Sequence, residues 1–133
     1  MDNIKRIDID WDELSTKAWQ VRKEAFILGD TKVGAALIDE NNKISVGCNI
    51  EQIYRSHDIH AEVNAISNMV SAGSTTLIAI LIVAERDFFT PCGSCMDWII
   101  QFGGENVIVG FQNKPGGEIF KYSGKELMPH YPR

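Results

Sequence analysis

Cys92 and Cys95 stand three positions apart in the segment TPCGSC, residues 90–95, with a proline before the first and a glycine between them. Two thiols so spaced can form a redox couple, half of a metal site or a disulfide. A third cysteine, Cys48, makes the count odd, and the chain reads as cytosolic, where thiols stay reduced; a structural disulfide is therefore not expected. Where CxxC opens a helix, both sulfurs share one face at the helix's positive end, and that field favours thiolate. A thioredoxin-like dithiol sits at the same kind of strand-to-helix turn, so the pair alone leaves redox and metal chemistry open.

The segment HAE, residues 60–62, favours the metal. His60 adds an imidazole to the two thiolates, and a His-Cys-Cys set leaves the fourth tetrahedral position of Zn2+ open to water, as a catalytic site requires. Zinc lowers the pKa of such a water to about 7. Glu62, too hard a donor to be the ligand of choice, then has a role as proton shuttle. The combination H-x-E…P-C-x-x-C is the signature of zinc nucleobase deaminases. His60 and Glu62 can face one ion only if the chain enters the helix at an angle, because residues two apart on a regular helix point about 200° apart. A competing assignment puts Cys48 in the fourth position and closes the site into a structural knuckle. Otherwise Cys48, inside a strand-like run, is a small buried hydrophobe.

The elements that must hold these residues are written in the apolar spacing. Trp11, Leu14, Ala18, Val21, Ala25 and Leu28 step by three and four, predicting a helix over 11–28 with Asp12 near its cap and Gly29 at its end. VGAALID (33–39) and KISVGCNI (43–50) read as a hairpin across ENN. AEVNAISNMV (61–70) predicts a helix stopped by Ala72-Gly73, and LIAILIVA (77–84) a strand covered on both faces. A helix over 92–102, strands at 106–113 and 118–122, and a short turn with capping-box spacing from Ser123 to Glu126 complete the order. That order predicts one domain over 1–133, a three-layer α/β/α arrangement on a mixed sheet of about five strands.

Bulk composition agrees with an ordinary soluble globular protein. The 133 residues suffice for one core without cross-links, and 44% hydrophobic with 23% charged content is typical. Lys5, Arg6, Lys17, Arg22 and Lys23 mix with acids near the start, with no apolar leader pattern, and the longest apolar run is too short to cross a bilayer. A cytoplasmic chain without membrane contact is the expectation. The net charge of −5 argues against docking on a polynucleotide, whose phosphates demand Lys and Arg.

With HAE and PCGSC in place, the chain resembles the cytidine deaminase family. VGAAL (33–37), GCNIE (47–51), the eight residues between Glu51 and His60, and ELMP (126–129) carry the rest of the resemblance, which spans about residues 31–129. It implies Zn2+ held by His60, Cys92 and Cys95, Glu62 as the catalytic carboxylate, and Asn49 and Glu51 on the ribose hydroxyls. It also implies a homo-oligomer, a tetramer or dimer, with substrate pockets between subunits. The small tetrameric members usually carry Cys at the first ligand and arginines where this chain has Val63 and Met96. Two thiolates and a neutral imidazole already balance Zn2+, so the absent arginines agree with His60. Thr31 stands where the family often has a pocket Phe, and the chain ends early at Arg133.

The expected reaction is hydrolytic deamination of cytidine, deoxycytidine or a close cytosine nucleoside analogue, with a small-molecule nucleoside as partner. A nucleotide, a free base or a blasticidin-type nucleoside is the alternative substrate; a structural zinc module and a thiol redox protein are the alternatives outside that chemistry. Asn49 and Glu51 also read as ordinary turn polars, His57 and Asp58 as loop and capping residues, and Phe88 or Phe89 as a candidate stacking surface for a base.

Overall fold

The computed structural model describes residues 8–132; Lys5, Arg6 and Arg133 lie outside them. The elements run α1 (Trp11–Arg22), β1 (Val33–Asp39), β2 (Ile44–Cys48), a short 3-10 turn (Arg55–His57), α2 (Ala61–Ser71), β3 (Leu77–Ala84), α3 (Gly93–Gly103), β4 (Ile108–Gln112), β5 (Phe120–Ser123) and the single-turn α4 (Gly124–Leu127). The five strands form one sheet in the order β2-β1-β3-β4-β5. β1 pairs antiparallel with both β2 and β3, β3 pairs parallel with β4, and β5 closes the edge antiparallel to β4.

Alternation along the central strands separates two cores. Ile80, Ile82 and Ala84 of β3 face α2 and α3, packing with Ala65, Ile66, Met69, Met96 and Ile99. Ala79, Leu81 and Val83 face α1, packing with Leu14 and Ala18. β3 is therefore apolar at every position because both faces are covered, as the unbroken run LIAILIVA predicts. The parallel β3–β4 pair requires a crossover, and α3 supplies it. The expected three-layer α/β/α fold on a mixed five-stranded sheet is present.

Two sequence expectations at α1 are corrected. The helix ends at Arg22 and does not run to 28: the N–H groups of Glu24 and Ala25 bond three residues back, and Phe26 leaves to bridge Ile50. Phe26 N–H donates to Asn49 O, and Phe26 O accepts from Glu51 N–H, so tertiary pairing takes the backbone groups that another helical turn needs. Leu28, counted in the apolar stripe, is 52% exposed. The N-cap is Asp10, whose Oδ1 accepts from Glu13 N–H at 3.0 Å, while Asp12 lies in the first turn. Ser123 and Glu126 do form the reciprocal capping box of α4.

Candidate active site and metal centre

The start of α2 is fixed by a glycine. A Cβ on Gly47 of β2 meets the backbone of α2 at Ala65 N, Ala61 O and Asn64 C, so the helix lies directly on the strand. Asn64 Oδ1 accepts from Cys48 N–H at 3.0 Å and ties the two further. Just before the helix, Ile59 exchanges backbone hydrogen bonds with Ile50, at 2.8 and 2.9 Å. His60 is thereby delivered as the N-cap, with φ −79° and ψ 155°. Its backbone is extended, so the helical rotation that separates residues two apart does not apply between His60 and Glu62. The angled entry that joint action of the two requires is present.

α3 begins in the same way. Cys92 is its N-cap, φ −68° and ψ 167°, and its Sγ accepts from Cys95 N–H at 3.5 Å. The positive ends of α2 and α3 converge, and between them His60 Nδ1 lies 3.2 Å from Cys95 Sγ and 3.5 Å from Cys92 Sγ. The three donor atoms are within 4.8 Å of one another. A tetrahedral zinc with its usual N and S bond lengths separates such donors by about 3.6 Å. The two imidazole–sulfur separations come within about 0.4 Å of that value, so the donor set suits a zinc ion. Cys48, buried in β2, is not in the group, so the closed knuckle it was to complete is not assembled. Nor do the two thiols form a disulfide.

Glu62 lies in the first turn of α2 and is 6% exposed. Burial pushes its carboxyl pKa up, against the opposing pull of His60. Burial likewise pushes the Cys95 thiol up, reinforced by Glu62 and Cys92. The neighbouring Glu62 and Cys92 thus disfavour the Cys95 thiolate, and a divalent cation would offset that penalty.

A cavity of about 340 Å³ adjoins this cluster, its lining including His60, Glu62 and Cys92 as well as Asn49, Glu51 and Arg55. Such a volume suits a small molecule. Asn49 and Glu51 each hold the chain between α1 and β1 against the cavity. Asn49 Oδ1 accepts from Val33 N–H at 2.9 Å and Nδ2 donates to Thr31 O at 3.0 Å. Glu51 Oε1 accepts from Leu28 and Gly29 N–H at 2.7 and 2.8 Å. Those amides, with Arg55 behind them, hold the Glu51 carboxyl below its usual range. Thr31 does line the cavity; Phe89 lines it too, whereas Phe88 packs edge-on to Phe111. Asp58 accepts from Gln52 N–H and Arg55 Nε, the loop-holding role expected of it. Met96 is buried in the core, and no arginine occupies that position.

Sequence reasoning missed Arg55 and Arg86, which also line the cavity. The signal for Arg55 was its i, i+4 spacing from Glu51 and its closeness to Asp58; Arg86 carried none beyond its nearness to Cys92.

An α/β/α fold that points two helix N-termini at a His-Cys-Cys donor set, beside a buried carboxylic acid, defines a zinc-dependent hydrolase. A family model described as the cytidine and deoxycytidylate deaminase zinc-binding region matches residues 10–111. A cytidine deaminase of Sporosarcina psychrophila is 31% identical over 123 residues, 91% of this chain and 90% of its own length. A probable cytidine deaminase of Dictyostelium discoideum is 34% identical over 100 residues, 74% of this chain and 66% of its own. The crystal structure of the Burkholderia pseudomallei cytidine deaminase superposes with a TM-score of 0.83 at 27% identity, covering 92% of this chain and 98% of that one. The chain belongs to the cytidine and deoxycytidylate deaminase family, and its cofactor is Zn2+. Among the described residues no helix is long and apolar enough to cross a membrane.

Proposed function

We propose that the protein hydrolyses the exocyclic amine of cytidine, deoxycytidine or a close cytosine nucleoside analogue, giving the uracil product and ammonia. The observation that carries this reading is the convergence of His60, Cys92 and Cys95 beneath a cavity that also exposes Glu62. His60 Nδ1 and the two sulfurs would hold zinc, which when bound would supply a Lewis acid able to make water nucleophilic near neutral pH. Glu62 takes one proton from the water that adds at C4 and delivers it to N3; it then takes the second, from the new C4 hydroxyl, and delivers it to the amine as the C–N bond breaks and ammonia leaves. Its burial favours the neutral carboxyl, so the side chain can hand a proton on as well as accept one. Asn49 and Glu51 form the wall on which the sugar rests, and Phe89 offers its ring to the base.

The protein acts in this reading as a cytoplasmic homo-oligomer, a dimer or tetramer, in pyrimidine salvage. Glu62→Gln tests the proton role: turnover of cytidine is expected to fall at least about 1,000-fold while zinc content stays at the wild-type level. A Glu62→Gln variant that keeps both zinc and near-wild-type turnover refutes the assignment.

A further inference from the structure

We infer that Arg55 is a specificity-determining residue of this cavity: its guanidinium and the Glu51 carboxylate form a paired donor and acceptor that reads a neutral hydroxyl on the substrate's sugar. The inference rests on the nucleoside reading above and adds to it the residue and the charge state of the group recognised.

Counting hydrogen-bonding capacity leads there. A carboxylate has about four acceptor positions. Glu51 uses two on Oε1 for Leu28 and Gly29 N–H, and one on Oε2 for Arg55 Nη2 at 3.1 Å. One acceptor position remains, on the oxygen beside the guanidinium. Arg55 has about five N–H donors. It gives Nε to Asp58 Oδ2 at 2.8 Å and one Nη2 hydrogen to Glu51, and the rest are uncommitted to these carboxylates. Its side chain is 56% exposed and lines the cavity, so those donors are within a substrate's reach. One acceptor next to spare donors matches a hydroxyl, which both gives and takes a hydrogen bond.

The local charge speaks against a phosphate at this spot. Arg55 is gripped by two carboxylates, Glu51 and Asp58, so an anion here meets two negative groups around one positive one. The other cavity arginine, Arg86, lies over the Phe89 ring, 5.7 Å from its centroid, as a separate feature. The guanidinium is also held in advance. Asp58 accepts from Gln52 N–H at 2.8 Å, and Glu51 is anchored to two backbone amides, so both ends of the grip are fixed before substrate arrives.

The test is steady-state kinetics of the full-length zinc enzyme, wild type against Arg55→Gln and Arg55→Lys, on cytidine, 2′-deoxycytidine, 3′-deoxycytidine and cytidine 5′-monophosphate. Thermal melts check that each variant folds. In wild type, one of the deoxy analogues is expected to lose about tenfold in kcat/KM against cytidine. Arg55→Gln is expected to raise KM for cytidine about tenfold with kcat within about twofold, and to shrink the penalty for the missing hydroxyl to about twofold. Arg55→Lys, which keeps the charge and loses the planar fork, is expected to fall between. Unchanged hydroxyl discrimination in Arg55→Gln, a loss confined to kcat, or a preference for the monophosphate that Arg55→Gln abolishes overturns the inference while leaving cytidine deamination in place. A wild-type enzyme inert on every cytosine nucleoside overturns the nucleoside reading and the inference with it.

Discussion

Gly47→Ala is the perturbation that links the sheet to the chemistry. The new Cβ meets Ala61 O at 2.6 Å and Asn64 C at 2.8 Å, and Ala65 N more closely still, whereas ordinary contact begins at 3.4 Å. All three atoms are α2 backbone, so no side chain can swing away, and the helix must move. Relieving the Ala61 contact alone needs a shift of about 0.8 Å of the turn that carries Glu62 and follows His60. Overpacking of this kind costs about 3 kcal/mol, which for 133 residues lowers Tm by about 10 °C. A misplacement near 1 Å of a proton-transferring group costs about 100-fold in rate. Thermal melts, and kcat/KM for cytidine measured well below both Tm values, read the two effects separately. A variant with wild-type Tm refutes the steric argument; one with a lowered Tm but wild-type kcat/KM refutes the claim that this contact positions the catalytic turn.

Gly93→Ala, between the two cysteines, is expected to do the opposite. Nothing lies within 4 Å of its Cβ position, and it opens α3, so zinc content and activity should stay at wild-type level with Tm unchanged or slightly higher. Loss of zinc on inductively coupled plasma analysis contradicts this. Glu51→Gln tests the anchored carboxylate through pH. Because the folded-state pKa of Glu51 is lowered, its stabilisation is full above the unfolded value of about 4.3 and is lost as pH falls through the lowered folded value. Wild type should therefore melt above Glu51→Gln at pH 7, and the gap should close under acid; a gap that widens on acidification contradicts the assigned sign.

Parts of this molecule are plain in the sequence because one physical constraint dominates them. β1 and β3 match their sequence runs at both ends, since burial on both faces keeps β3 apolar throughout and β1 apolar up to Asp39, whose buried carboxylate accepts from Asn41 and Lys43 N–H in the turn. The donor set is legible because zinc demands particular side chains, and His60, Cys92 and Cys95 are otherwise an unusual trio. What was not legible depends on contacts between distant segments. The apolar stripe of α1 runs on to Leu28, but Phe26 is drawn into pairing with Asn49 and Glu51, a competition invisible to local spacing. The angled entry at His60 follows from Ile59 pairing with Ile50 and from Gly47 under the helix, neither of which the HAE motif encodes. Arg55 went unread because its meaning lies in gripping Glu51 and Asp58 from a three-residue turn that periodicity does not reveal.

The most direct test of the central claim is the zinc K-edge absorption spectrum of freshly purified protein, with the metal quantified on the same sample. One zinc per chain is expected, with two sulfurs at about 2.3 Å and two lighter donors, one a histidine nitrogen, at about 2.0–2.1 Å. A shell of three sulfurs, or protein that carries no zinc and cannot be loaded with it, contradicts the account.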